Sequence, residues 1–235
     1  MLILALESSA LSASAALCAD GDIIAETWQR TGLTHSETLL PMTENLLKTA
    51  GKSLSDVDLF AAAVGPGSFT GLRIGAAAVK GLAYALSRPC AGISSLEALF
   101  FAHAAYPAGS AVVCVMDARV GQVYAAAFDA DTGERLMPDR AITTDTLAEE
   151  LARLEKPLWL TGDGAALAYE AWKDRLPVTL APDCDRWQHA RGVARAAAAL
   201  SPEAYVTASA LRPEYHRLPQ AERERLARLA GKTDQ

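Results

Sequence analysis

The chain has 235 residues, 51% hydrophobic and 21% charged, with 22 Lys+Arg against 28 Asp+Glu for a formal net charge of −6. That balance excludes an intrinsically disordered chain, and an acidic protein of pI near 5.3 is a poor unaided grip for nucleic acid. The four cysteines, Cys18, Cys90, Cys114 and Cys184, form no Cys-x-x-Cys pair, so neither a zinc knuckle nor a redox motif is indicated. The opening apolar run, residues 1–6, is too short to span a membrane and lacks a basic leader, which fits a reducing, cytoplasmic setting.

Three strands are predicted first, over residues 2–6, 11–18 and 22–29, the last two joined by an Asp20-Gly21 hairpin turn. Thr34 and Glu37 have capping-box spacing ahead of a stripe formed by Leu39, Leu40, Met42, Leu46 and Leu47, with Gly51 as a stop. Pro41 conflicts with a helix starting at Thr34, so the helix either begins near Thr38 or is kinked in its first turns. A buried strand over 57–64 leads through a glycine-rich loop into a helix over 72–86, then a strand over 89–93 and a helix over 94–104. Tyr106-Pro107-Ala108-Gly109 has turn chemistry and divides the chain into 1–108 and 109–235. The second half repeats the plan. Strands are expected over 111–116, 122–128, 158–161 and 178–181, and helices over 144–154, 165–172 and 187–200. Residues 211–215 are expected to be irregular, and 221–230 to form a charged final helix. Strands followed by βα units in each half point to an α/β fold of two similar lobes.

The densest motif is Gly65-Pro66-Gly67-Ser68-Phe69-Thr70-Gly71-Leu72-Arg73-Ile74-Gly75. A strand–glycine loop–helix unit either aims its N–H groups and helix dipole at an anion or makes a tight turn with close packing. It lacks the Gly-Lys-Ser/Thr ending of a Walker loop, Thr70 breaks the dinucleotide pattern, and no Gly-x-Ser-x-Gly is present. Gly71, Gly75 and Ala78 make a stripe of small residues that admits another helix or the chain's own sheet. Glu7, Ser8 and Ser9 sit at the first strand's turn, Asp117 at its counterpart in the second half, and Gly162 and Gly164 after a later strand. With Gly65, Gly67 and Ser68 they either line a nucleotide cleft, in which Glu7 and Asp117 face each other and hold a metal, or form ordinary turns with solvated or Arg-paired carboxylates, the safer expectation. The histidines His35, His103, His189 and His216 have no zinc-type spacing, and no metal site is assigned.

At that loop the sequence resembles the TsaB (YeaZ) family. The resemblance runs through Leu4-Ala5-Leu6-Glu7-Ser8-Ser9, His35-Ser36-Glu37, Leu40-Pro41, Gly92-Ile93-Ser94-Ser95-Leu96-Glu97-Ala98-Leu99 and Asp117-Ala118-Arg119, to Arg212-Pro213-Glu214-Tyr215. It implies a two-lobed acetate-kinase/Hsp70/actin-like (ASKHA) fold, each lobe a mixed sheet flanked by helices. It also implies a non-catalytic scaffold in the complex that makes threonylcarbamoyladenosine beside the anticodon of tRNA. Such a subunit pairs with a TsaD-like catalytic paralogue, recruits a TsaE-like ATPase, forms a homodimer when alone, and meets tRNA only through the complex. The paralogue's metal-binding His-x-x-x-His falls here on Ser95 and Leu99, and the superfamily's Asp-Gly phosphate loop on Glu7-Ser8-Ser9-Ala10. No cofactor is therefore expected, and nucleotide binding only weakly. The partner surface implied is the pair of helices over 38–50 and 72–86, through Leu39, Met42, Leu46, Gly71, Arg73, Ile74, Gly75 and Ala78. The alternatives are a small-molecule kinase or ATPase of the same superfamily, using Glu7, Ser8, Gly67 and Asp117, and a glycoprotease-type peptidase, for which no nucleophile–base pair is evident.

Overall fold

A computed structural model describes residues 1–119 and 121–217; the helix expected over 221–230 lies outside them. Strands β1 (Leu2–Glu7) and β2 (Ala13–Ala19) are buried along almost their whole length, so both read as unbroken apolar or small-residue runs. Strand β3 (Asp22–Gln29) is the sheet edge, half-exposed throughout. Helix α1 (His35–Thr49) starts at His35 and carries Pro41 inside it. The Thr34 hydroxyl donates to Glu37 Oε2 at 2.7 Å instead of receiving an amide, so the spacing marks the helix start without a true cap. Pro41 faces solvent, where water takes over the carbonyl its ring leaves unpaired.

Strand β4 (Leu59–Gly65) runs through the glycine loop into α2 (Phe69–Ala85). The helix begins three residues before its expected start because Ser68 caps it, accepting from Gly71 N at 3.3 Å. Strand β5 (Cys90–Ser94) and α3 (Ser95–Phe101) complete the first lobe. Its sheet has the order β3-β2-β1-β4-β5, antiparallel on the β2–β3 side and parallel on the β4–β5 side.

The second lobe repeats this: β6 (Ala111–Asp117), β7 (Gln122–Asp129), β8 (Arg135–Thr143), α4 (Thr144–Leu151), β9 (Leu158–Thr161), α5 (Ala165–Trp172) and β10 (Val178–Leu180). The order β10-β9-β6-β7-β8 is the first sheet's order with each strand replaced by its counterpart. Strand β8 is absent from the sequence reading. It carries Pro138 and three charged residues, and its register slips opposite Ala125–Ala127, an irregularity that an edge strand tolerates.

Helix α6 (Ala190–Ala199) returns to the first lobe. Ala190, Val193, Ala194 and Ala197 pack on Ile3, Ala5, Ala61 and Ile93, covering one face of that sheet. Helices α1 and α2 cover the other, around Leu4, Leu6, Leu17 and Phe60. Each fully buried leucine there contributes roughly 1.5–3 kcal/mol. In the second lobe Trp172 is fully buried and donates Nε1–H to Thr144 O at 3.2 Å. The carboxyl ends of β1, β4 and β5 place Glu7, Gly65 and Ser94, and those of β6 and β9 place Asp117 and Gly162. This is the side on which open α/β sheets receive ligands.

Candidate functional site

The turn after β1 organises the first lobe's half of the site. Glu7 is fully buried; Ser9 N donates to its Oε1 at 2.5 Å, and its Oε2 has no partner. Burial pushes the Glu7 carboxyl up to about 7, a rise that hydrogen bonding from Ser9 opposes and the nearby charge of Asp163 reinforces. Asp163 stands in the turn Gly162-Asp163-Gly164, which packs on the end of β6 at Val115 and Met116. Its carboxyl is raised to about 6, again chiefly by burial, with Gln188 Nε2 donating to Oδ1 at 2.9 Å and Asp117 adding repulsion. Asp117 is exposed and accepts from Arg119 N at 2.7 Å. Among the described residues no Lys or Arg side chain pairs with any of these three carboxylates, and no group of three His, Cys, Asp or Glu could hold a metal ion.

The glycine loop is filled by the chain itself. A Cβ at Gly65 (φ +142°) would collide with Glu214 O, and one at Gly67 (φ +155°) would lie 2.9 Å from Ser9 Cβ. Ser68 N donates to Ser9 O at 2.7 Å, and Glu214 N to Val64 O at 2.7 Å. The Ser9 backbone thus lies against the loop at Gly67 and the Glu214 backbone against it at Gly65.

The small-residue stripe is likewise used internally. A Cβ at Gly71 would overlap Ser8 O, and one at Gly75 would come within 2.5 Å of Ser8 Oγ. His35 Nε2 donates to Ala10 O at 2.8 Å, so α1, α2 and the β1–β2 turn meet at one junction. This corrects the sequence reading of the helix surface. Leu39, Leu46, Gly71 and Gly75 face inward, Leu39 and Leu46 because they supply the apolar stripe that covers the sheet. Met42, Ile74 and Ala78 are half-buried and Arg73 is exposed. The outward face instead presents Leu40, 48% exposed, and Tyr84, 79% exposed.

Ser95 and Leu99 are both fully buried, Leu99 in a cluster with Leu96, Val112 and Met116. Three groups near the cleft were not foreseen. Gln188 joins the lobes, because its carbonyl accepts from Ser12 Oγ at 3.0 Å and Trp28 Nε1 at 3.1 Å while its amide holds Asp163. Glu26 receives Arg191 Nη1 at 2.9 Å and lies 3.1 Å from His189 Nδ1. Asp139 of β8 accepts from Ser94 Oγ and from Arg135, whose other nitrogen reaches Glu97 Oε2 at 3.1 Å. Asp163 had a local signal, an acidic residue between two glycines after a strand. The others depend on partners far away in the chain.

The model of the family "tRNA N6-adenosine threonylcarbamoyltransferase" (TsaD) matches residues 29–184. The Escherichia coli K12 protein named "tRNA threonylcarbamoyladenosine biosynthesis protein TsaB" is 33% identical over 181 residues, 74% of each chain. The solved structure of YeaZ from Pseudomonas aeruginosa superposes with a TM-score of 0.72 at 27% identity, covering 91% of this chain and 99% of that one. The ethanolamine utilization protein EutJ of Carboxydothermus hydrogenoformans shares the fold alone, with a TM-score of 0.52 at 10% identity over 83% of this chain and 90% of its own. The two repeated mixed sheets and these neighbours establish the acetate-kinase/Hsp70/actin-like fold.

Proposed function

This chain belongs to the TsaB family and serves in tRNA threonylcarbamoyladenosine biosynthesis, and we propose that it does so as a pseudoenzyme scaffold. In this reading it pairs with a TsaD-like catalytic paralogue and recruits a TsaE-like ATPase. It forms a homodimer when alone, meets tRNA only through the complex, and works in the cytoplasm. Among the described residues no helix is long and apolar enough to cross a membrane.

One observation carries the reading. The loop that would cradle phosphates is packed by the chain's own backbone at Ser9 and Glu214. The buried Ser95 and Leu99, which replace the histidines of the paralogue's pattern, support it. The surface left for a partner is the outer face of α1 and α2: Leu40, Met42, Arg73, Ile74, Ala78 and Tyr84. Exposed apolar side chains on two neighbouring helices suit a helical interface.

The test is reconstitution. With the TsaD-like and TsaE-like proteins, tRNA, ATP and a preformed activated threonylcarbamoyl donor, omission of this chain is expected to abolish threonylcarbamoylation. Full activity without it overturns the scaffold reading. Calorimetric binding of Mg-ATP tighter than about 1 mM, a standard free energy near −4 kcal/mol, would instead favour a kinase or ATPase acting through Glu7 and Asp117.

A further inference from the structure

After α6 the chain returns along the first lobe. Cys90 and Val206 exchange backbone hydrogen bonds, both at 2.8 Å, closing the β5 edge of the sheet. Lys80 Nζ of α2 then donates to Leu211 O at 3.1 Å, and the buried Leu211 side chain sits over Gly92, where a Cβ would stand 3.2 Å from Leu211 Cδ1. Glu214 N bonds Val64 O. At the next residue the Tyr215 ring stacks on Phe69 of α2, centroids 3.9 Å apart and planes 14° from parallel. Arg73 completes the anchor: its guanidinium carbon is 4.3 Å from the Phe69 centroid, and its Nε donates to the Tyr215 hydroxyl at 2.9 Å. Two residues later Arg217 leaves the first lobe, its Nη1 donating to Ala118 O and, at 3.2 Å, to Arg119 O, in the turn between β6 and β7.

Those carbonyls belong to a strained turn. Arg119 has φ +64°, a left-handed backbone that costs a non-glycine residue of order 1 kcal/mol, and its amide is held by Asp117 Oδ1. A guanidinium is a suitable group to hold two converging carbonyls, since its donors lie in one plane and stay charged at any working pH.

We propose that residues 211–217 are a clasp between the lobes, with the Tyr215 ring as its anchor on α2 and Arg217 as its hook on the Ala118-Arg119 turn. The anchor and the hook are two residues apart in an irregular segment, so displacing the ring withdraws the hook. The Phe69–Arg73 platform lies on the first turns of α2, next to the glycine loop. A disturbance at that end of α2 is thereby transmitted to the β6–β7 turn of the other lobe, which carries Asp117. Two-lobed proteins close by small rotations about a few contacts, and this contact ties α2 of one lobe to the β6–β7 turn of the other.

Hydrogen exchange on the full-length protein tests the clasp. Arg217→Ala is expected to raise exchange in 117–123 about tenfold, the scale of one charge-assisted hydrogen bond, and to leave 64–72 unchanged. Tyr215→Ala is expected to raise exchange in both segments, and Tyr215→Phe in neither, because the stack survives loss of the hydroxyl. Small-angle scattering of Arg217→Ala should show a larger radius of gyration. The proposal fails if Arg217→Ala leaves 117–123 protected. It fails equally if Tyr215→Ala loosens 64–72 alone, since the anchor would then not govern the hook. No partner protein enters the experiment, so its failure leaves the scaffold reading untouched.

Discussion

Ser8 and Gly71 are in direct contact: the Ser8 hydroxyl donates to Gly71 O at 3.0 Å, and a methyl group on Gly71 would overlap the backbone oxygen of Ser8. The neighbour is main chain, so it cannot rotate away. Gly71→Ala should therefore destabilise the protein by about 2–3 kcal/mol. Gly81, on the same helix, has nothing within 4 Å of its virtual Cβ, and Gly81→Ala should stabilise by about 0.5–1 kcal/mol. Urea unfolding of the two variants beside the wild type measures both signs.

Glu7 gives stability a distinctive pH profile. Its folded carboxyl titrates near 7, above an ordinary value of 4.5, so the native state binds the proton more tightly than the unfolded chain. That contribution is complete below about 4.5 and is lost as pH rises through 7, amounting to at most about 3 kcal/mol; Asp163 acts in the same direction up to about 6. Glu7→Gln should flatten the fall and leave the variant more stable than wild type at pH 8. Thermal unfolding at pH 5 and pH 8 decides the matter, and equal slopes would refute it.

Glu26 has the opposite sign. Burial works against its charge, but His189 and Arg191 outweigh burial and hold the carboxyl below its usual range. Stability from this group is present above the ordinary carboxylate value and is lost as pH falls through the depressed one. Glu26→Gln leaves Arg191 half-buried without its counter-charge, which should cost about 2–4 kcal/mol at pH 7 and less at pH 3. Chemical denaturation at the two pH values provides the comparison.

Adjacent leucines of α1 should behave in contrasting ways. Leu39 is buried in the core and Leu40 points to solvent. Leu39→Glu is expected to prevent folding. Leu40→Glu should fold normally yet weaken self-association or pairing with the TsaD-like partner about 10–100-fold, the range of an interface anchor. Light scattering, with circular dichroism as the control for folding, separates the two effects.

How far the fold is legible depends on where each strand lies. Strands β4, β6 and β9 are buried runs bounded by turns, and apolarity alone marks them. Strand β8 is hidden because Arg135, Pro138, Asp139 and Arg140 belong to an edge with a slipped register, and none of these favours a strand on local grounds. The spacing of Gly71 and Gly75 announces a close approach but does not say to what; the answer, Ser8, lies more than sixty residues upstream. The site has the same limit. Glu7 and the Gly162–Gly164 turn stand out by type and position, whereas Gln188 and Glu26 gain their roles from contacts 25 to 176 residues away.

Helix α6 sets the order in which the protein can be completed. It starts at Ala190 but covers a sheet whose last strand ends at Ser94. During synthesis, Ile3, Ala5, Leu59, Ala61 and Ile93 are made early and remain uncovered while the whole second sheet leaves the ribosome. At about 5–20 residues per second that interval lasts roughly 5–20 s. The half made first is thus the half finished last. A nascent chain stalled before Ala190 exposes an apolar sheet face to solvent, where a chaperone or a protease would find it.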